Sequence, residues 1–190
     1  MSTDIILCGV GGQGTILASK LIAAAAMKKN IPVKTAETIG MAQRGGSVFS
    51  HLRLGTGEGS PLIGKKRTDL IIAFEPAEAV RQMPFLKEGG SVVVSSHPIL
   101  PVSAMIGDSA YDVEGIMDYL RHKVDRLTVV DSDAAARELG SMKVLNVVLL
   151  GAAVRSGALG LSEQDILAAI HERVPARFHE LNEKALAFAR

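Results

Sequence analysis

Cysteine, tryptophan and any marked excess of charge are scarce or missing in this 190-residue chain. Its single cysteine, Cys8, excludes an internal disulfide. One thiolate is also too few for a Cys-ligated iron–sulfur cluster or a structural zinc site. A reducing, cytoplasmic setting is the expectation that follows. The formal net charge of +1 leaves no overall electrostatic footprint for nucleic acid. The one basic cluster, Lys65-Lys66-Arg67, reads as a solvated turn. No basic stretch precedes the first apolar run, so no signal peptide is expected. The longest apolar stretch, Val144 to Val154, contains Asn146 and is flanked by Lys143 and Arg155. It is too short to span a bilayer and reads as a buried helix. The five histidines are scattered without a His-x-x-x-His pair, and Pro175 separates His171 from His179, so no metal site is expected. Gly45-Gly46-Ser47-Val48-Phe49 lacks the glycine after serine that a nucleophile elbow requires. With only 4% aromatic residues, the core must be built from Ala, Val, Leu, Ile and Met.

What is present suits one α/β domain over residues 1–190. Ile5 to Cys8 is a short, continuous apolar run, the pattern of a strand buried on both faces. An Ala- and Leu-rich stretch follows, predicting a helix from near Gly12 that ends by Asn30. Pro32 to Glu37 completes a right-handed βαβ unit, a Rossmann-like start. Ser47 to Leu54 then alternates as a strand should. Only Thr38 to Gly46, with three glycines, separates it from the strand before. A parallel crossover needs about ten to twelve residues or more, usually with a helix. The third strand therefore leaves the doubly wound path, and the sheet is expected to be mixed though mostly parallel. Further strands are predicted at Asp69–Phe74, Ser91–Ser95 and Leu127–Asp131, with Gly89-Gly90 read as a turn. Helices are predicted at Pro76–Met83, Asp112–Lys123, Ala134–Leu139 and Met142–Ser156, with two more closing the chain. Ser162-Glu163-Gln164-Asp165 has the form of a capping box opening the first of those two.

Two glycine-rich segments carry the chemistry. Gly9, Gly11 and Gly14 satisfy G-x-G-x-x-G between a strand and a helix. Without Cβ atoms such a loop turns tightly and approaches a ligand closely, while the helix behind it presents free N–H groups. Glu37, 23 residues beyond Gly14, stands where a dinucleotide fold places its ribose-binding acid. Gly12 and Gln13 suit an anion or a partner's backbone equally. A tight turn made only for close packing explains the same glycines. Cys8 beside this loop reads as a small buried core residue.

The second segment is Glu37-Thr38-Ile39-Gly40-Met41-Ala42-Gln43-Arg44-Gly45-Gly46-Ser47. Gly45-Gly46 opens backbone geometries closed to other residues. Arg44 presents a planar fork of donors suited to a carboxylate, a phosphate or a partner's carbonyls. An internal ion pair from Arg44 to Glu37 is the alternative.

Taken together, Gly9-Val10-Gly11-Gly12-Gln13-Gly14 and Glu37-Thr38 with Gly40 to Val48 resemble the gamma-type subunit of the 2-oxoacid:ferredoxin oxidoreductases. Within that family the chain is most similar to the indolepyruvate:ferredoxin oxidoreductase beta subunit. The resemblance continues through Asp69 to Ala79 and Asn146 to Gly151. The tail, with Arg173-Val174-Pro175 and Glu180-Leu181-Asn182, favours the indolepyruvate branch.

The resemblance implies a three-layer α/β/α sandwich. It also implies a subunit of an enzyme that joins oxidative decarboxylation of a 2-oxoacid to acyl-CoA formation and ferredoxin reduction. Thiamine diphosphate, Mg²⁺ and iron–sulfur clusters would reside on the larger alpha subunit, with coenzyme A as co-substrate. This chain would bind no cofactor of its own, and no catalytic residue is assigned to it. Gly9, Gly11, Gly12, Gln13 and Gly14 would form a ligand- or phosphate-binding loop. Glu37, Thr38, Gln43, Arg44, Gly45, Gly46 and Ser47 would face the partner or its cofactor. Expressed alone, the chain would cover its apolar docking patch by forming a homodimer. Partners beyond the alpha subunit and ferredoxin, such as nucleic acid or membrane, are not expected.

Two rivals stand beside this reading. A nicotinamide-dependent dehydrogenase is favoured by the first glycine loop and Glu37, and Tyr119-Leu120-Arg121-His122-Lys123 adds a Tyr-x-x-x-Lys spacing. The short link between the second and third strands weighs against it. A pure interaction subunit, whose glycine loops touch only a partner, is the other.

Overall fold

The computed structural model describes residues 2–37, 46–55, 59–100 and 111–188. Among them, six strands form one sheet: β1 (Thr3–Val10), β2 (Val33–Glu37), β3 (Ser47–Leu54), β4 (Thr68–Ala73), β5 (Leu86–Ser95) and β6 (Arg126–Val130). The helices are α1 (Thr15–Lys28), α2 (Pro76–Gln82), α3 (Val113–Lys123), α4 (Ser132–Leu139), α5 (Leu145–Arg155), α6 (Glu163–Arg173) and α7 (His179–Ala187). Strand order across the sheet is β2-β3-β1-β4-β5-β6. Strands β1, β4, β5 and β6 run parallel. β3 is antiparallel to both neighbours, β1 and β2. The nine-residue link is too short to cross over, so the chain turns back and β3 fills the place beside β1 that β2 takes in a doubly wound fold.

Residues of β1 alternate between two helical layers. Ile5 and Leu7 pack with Leu21 and Ile22 of α1 and with Val148 and Leu149 of α5. Ile6 and Cys8 pack with Ala79 of α2 and with Met117 and Leu120 of α3. Each such Ile or Leu, wholly buried, is worth about 1.5–3 kcal/mol against leaving it in water. This two-sided cover is why the strand reads as an unbroken apolar run. α6 and α7 form an outer shelf, α6 against α1 and α7 against α5.

Several predicted ends need adjusting. β5 starts at Leu86 and runs through Gly89-Gly90, so the glycines sit inside the strand, with Gly89 at φ +67°. Met142–Val144 is a 3-10 turn ahead of α5, and Ala176–Phe178 is another ahead of α7. The capping box at Ser162 is present in full: its hydroxyl accepts Asp165 N and the Asp165 carboxylate accepts Ser162 N. Among the described residues, no helix is long and apolar enough to cross a membrane.

Candidate functional site

The antiparallel course of β3 brings the two glycine segments together. The last residue of β1, Val10, stands beside the first residue of β3, Ser47. Just beyond, Gly11 N donates to Gly46 O at 2.9 Å. Segments 35 positions apart in sequence thus meet at one edge of the sheet. Thr38, Gln43, Arg44 and Gly45 lie outside the described residues.

In the first loop the glycines answer separate constraints. Gly12 and Gly14 have φ of +106° and +83°, backbone that side chains disfavour. Gly9 is required for space, because a Cβ there would lie 2.6 Å from Gln13 Oε1 and 2.9 Å from Phe74 Cβ. Gln13 closes the loop on itself. Its Oε1 accepts Val10 N at 2.7 Å and its Nε2 donates to Phe74 O at 2.8 Å. Its amide is therefore a brace between the loop and the end of β4. α1 begins at Gly14 with no side-chain cap. Its first residues, Thr15 and Ile16, line an open cleft of about 300 Å³ together with Gly11, Gly12, Gly14, Glu37 and Val48 to Ser50.

Glu37 shares this cleft, but not as a dinucleotide fold would place it. It pairs with Ser50, and Ser50 pairs with Leu7, so a whole strand separates Glu37 from β1. Two strand spacings are roughly 9.5 Å. In a dinucleotide fold the second strand lies directly beside the first, the place that β3 takes here.

Beneath the loops lies a buried cluster that the residue-by-residue reading passed over. Glu75 (1% exposed) caps α2, with its Oε2 accepting Glu78 N at 3.0 Å. Its Oε1 accepts the Tyr111 hydroxyl and, at 3.5 Å, Ile99 N. Burial, the hydrogen bond to Glu75 and that residue's charge hold the Tyr111 phenol protonated far above its ordinary value. Glu78, also buried, accepts Ser47 Oγ at 2.5 Å and Arg81 Nε at 3.1 Å. Burial raises its pKa, while Ser47 and Arg81 oppose the rise. The sequence signal was Glu-Pro-x-Glu: a helix-starting proline with one carboxylate at the cap and another three positions on. Tyr111 gave no signal.

Cys8 is wholly buried and donates to Glu78 O at 3.4 Å. Burial first, then the charges of Glu78 and Glu75, push its thiol pKa well up. A buried thiol with a raised pKa suits a structural donor. His171 and His179 lie on separate helices, yet their rings stack with centroids 4.6 Å apart. Among the described residues, no group of three His, Cys, Asp or Glu side chains is placed to hold a metal ion. The site therefore offers a shaped edge: glycine backbone, uncapped helix N–H groups, apolar Ile16, Val48 and Phe49, and the Glu37 carboxylate.

The sequence pattern of the family described as pyruvate ferredoxin/flavodoxin oxidoreductase matches residues 4–190. The chain is 38% identical over 187 residues to the indolepyruvate oxidoreductase subunit IorB of Archaeoglobus fulgidus, covering 98% of this chain and 92% of that one. It is 36% identical over 186 residues to the subunit of the same name from Methanothermobacter thermautotrophicus, covering 97% and 94%. Among solved structures it is similar to a keto/oxoacid ferredoxin oxidoreductase gamma subunit from Geobacter sulfurreducens. There the TM-score is 0.69 at 25% identity, over 97% of this chain and 94% of that one.

Proposed function

The chain belongs to the pyruvate ferredoxin/flavodoxin oxidoreductase family, and on that premise we propose that it is the small subunit of an indolepyruvate-type 2-oxoacid:ferredoxin oxidoreductase. The observation that carries the reading is near-full-length identity of 36–38% to subunits named for indolepyruvate. The reaction would convert an aryl pyruvate, CoA and oxidised ferredoxin to the aryl-acetyl-CoA, CO₂ and reduced ferredoxin. Thiamine diphosphate with Mg²⁺ and the iron–sulfur clusters would belong to a larger subunit. The one buried Cys of this chain does not suit a cluster.

The role of this chain is then to shape the larger subunit's surroundings. Gly11 to Gly14, Glu37, Gly46 and Ser47, with Thr38, Gln43, Arg44 and Gly45 in sequence between them, form the partner-facing edge, while Gly9 is buried behind it. The Gly11–Gly46 hydrogen bond supports this, since it makes one surface of two segments. Glycine backbone admits close approach of a partner chain, and exposed Ile16 and Leu17 beside it add apolar area. Against the nicotinamide alternative stands the sheet order, in which β3 lies between β1 and Glu37.

The test is an anaerobic pull-down of the tagged chain from its native cytosol, followed by an assay of CoA-dependent dye reduction by aryl pyruvates. Co-purification of a larger, Cys-rich thiamine protein with that activity is the expected result. A lone chain that binds NAD(H) would overturn the reading.

A further inference from the structure

Glu78 is held by three groups outside the glycine loops, Glu75, Cys8 and Arg81. Its backbone N–H is capped by Glu75 Oε2 at 3.0 Å, and its carbonyl accepts the Cys8 thiol from β1 at 3.4 Å. Arg81 Nε meets its Oε1 at 3.1 Å. The carboxylate is therefore a fixed point on the carboxyl-end rim of the sheet. Its other oxygen, Oε2, accepts Ser47 Oγ at 2.5 Å. Ser47 follows directly on Gly46, whose carbonyl receives Gly11 N at 2.9 Å. Gly46 lies one residue beyond the last β1–β3 pair, Val10 with Ser47, where a glycine keeps more backbone freedom than other residues, so a side-chain anchor on Ser47 adds restraint at the end of the ladder. Burying a carboxylate at 5% exposure is costly unless it is hydrogen-bonded. Packing of α2 alone would be met by an apolar side chain. What the carboxylate adds is a strong, charge-assisted acceptor for Ser47.

On the reading that a larger subunit meets both glycine segments, we propose that Glu78 is a positioning residue: through Ser47 it fixes Gly46 so that the two segments present one joined surface. The chain of contacts runs from Glu78 Oε2 to Ser47 Oγ, along the backbone to Gly46 O, and across to Gly11 N. A partner then meets a preorganised edge and does not have to order it on binding.

The test is amide hydrogen exchange at Gly11 in the full chain, a position remote in sequence from both substituted residues. A hydrogen bond to a charged acceptor is worth about 1.5–3 kcal/mol, so Ser47→Ala and Glu78→Met should each speed Gly11 exchange by about tenfold or more. The double variant should exchange no faster than the worse single one, because both cut the same link. Arg81→Ala, which leaves the Ser47–Glu78 hydrogen bond in place, should speed Gly11 exchange less than Ser47→Ala does. Unchanged Gly11 protection in folded Ser47→Ala would overturn the proposal. That variant suffices even if Glu78→Met fails to fold, since the Ser47 residue is exposed. Affinity for the larger subunit should fall by about tenfold in the same variants. Full affinity alongside faster Gly11 exchange would overturn the link to the partner. Failure of the unaltered chain to bind a larger subunit would sink the subunit reading, while the exchange result would still decide the role of Glu78.

Discussion

The backbones of Gly151 and Leu186 touch: a Cβ placed on Gly151 would lie 2.0 Å from the Leu186 carbonyl oxygen and 2.9 Å from its carbonyl carbon. This contact seats α7 against α5. Arg155, one turn on, then donates to the carbonyls of Leu186 and Phe188. The obstruction is backbone, so a methyl group there cannot be relieved by turning a side chain. Gly151→Ala should therefore destabilise the chain by about 3 kcal/mol, the upper part of the overpacking range. A urea midpoint measurement checks this. A change within about 0.5 kcal/mol, typical of an innocuous surface site, would show that the helices are not in contact as described.

Gln13, whose side chain suits an anion or a partner's backbone equally in the sequence, uses its amide to brace Val10 N and Phe74 O. Gln13→Ala should cost about 1–3 kcal/mol, since partly buried backbone groups lose their partners. Gln13→Glu should cost a similar amount. A carboxylate still accepts Val10 N but turns an oxygen toward the Phe74 carbonyl. Thermal melts of both variants test the assignment, and two melts that match the parent chain would refute it.

His51 is a buried acceptor, taking Ile63 N on its Nδ1 at 3.2 Å between the edges of Phe49 and Phe85. Burial lowers its pKa below the ordinary 6.5. As pH falls through that ordinary value, the unfolded chain takes up a proton that the folded chain refuses. Stability is thus present in full above about pH 6.5 and declines as pH falls toward the lowered folded value. One proton gives a slope of at most about 1.4 kcal/mol per pH unit. His51→Asn keeps an acceptor but does not titrate, so it should flatten the difference in stability between pH 7.5 and 5.5. An unaltered difference would remove His51 from the account.

Cys8 should ignore thiol reagents in the folded chain, being wholly buried with its pKa pushed up. A disulfide-exchange reagent at pH 8 should label no thiol in buffer and one thiol per chain in denaturant. Rapid labelling in buffer would contradict its place in the core.

The mixed sheet was legible because the rule is one of reach. Nine residues from Thr38 to Gly46 do not make a parallel crossover, whatever their identity. β1 was legible from its unbroken apolar run, and α6 from its capping box, since each carries its own local signal. Glu37 shows the limit. Its spacing from Gly14 suits a ribose acid, but spacing along the chain does not reveal that another strand enters between β2 and β1. The sequence places the start of β5 too late because glycines usually end a strand, whereas here β4 pairs on both sides of them, at Leu86 and again from Ser91, across an irregularity. Glu75, Glu78 and Tyr111 were invisible as a cluster, because long-range contact alone unites them. The stacking of His171 on His179 was equally hidden, the rings meeting across the break that Pro175 makes.

The ladder between β1 and β3 gives the two glycine segments a ruler independent of the polypeptide joining them. Their separation is set by paired backbone groups from Thr3 and Leu54 to Val10 and Ser47. It is not set by the length of α1 or of its connections. Lengthening the connection after α1 is cheap, since each doubling of a flexible loop adds only about 0.6 kcal/mol. A residue inserted within β3 would instead turn every side chain beyond it to the opposite face and carry Ser47 out of step with Val10. The edge built by the two segments therefore tolerates added length in the connections but not an insertion in the strand.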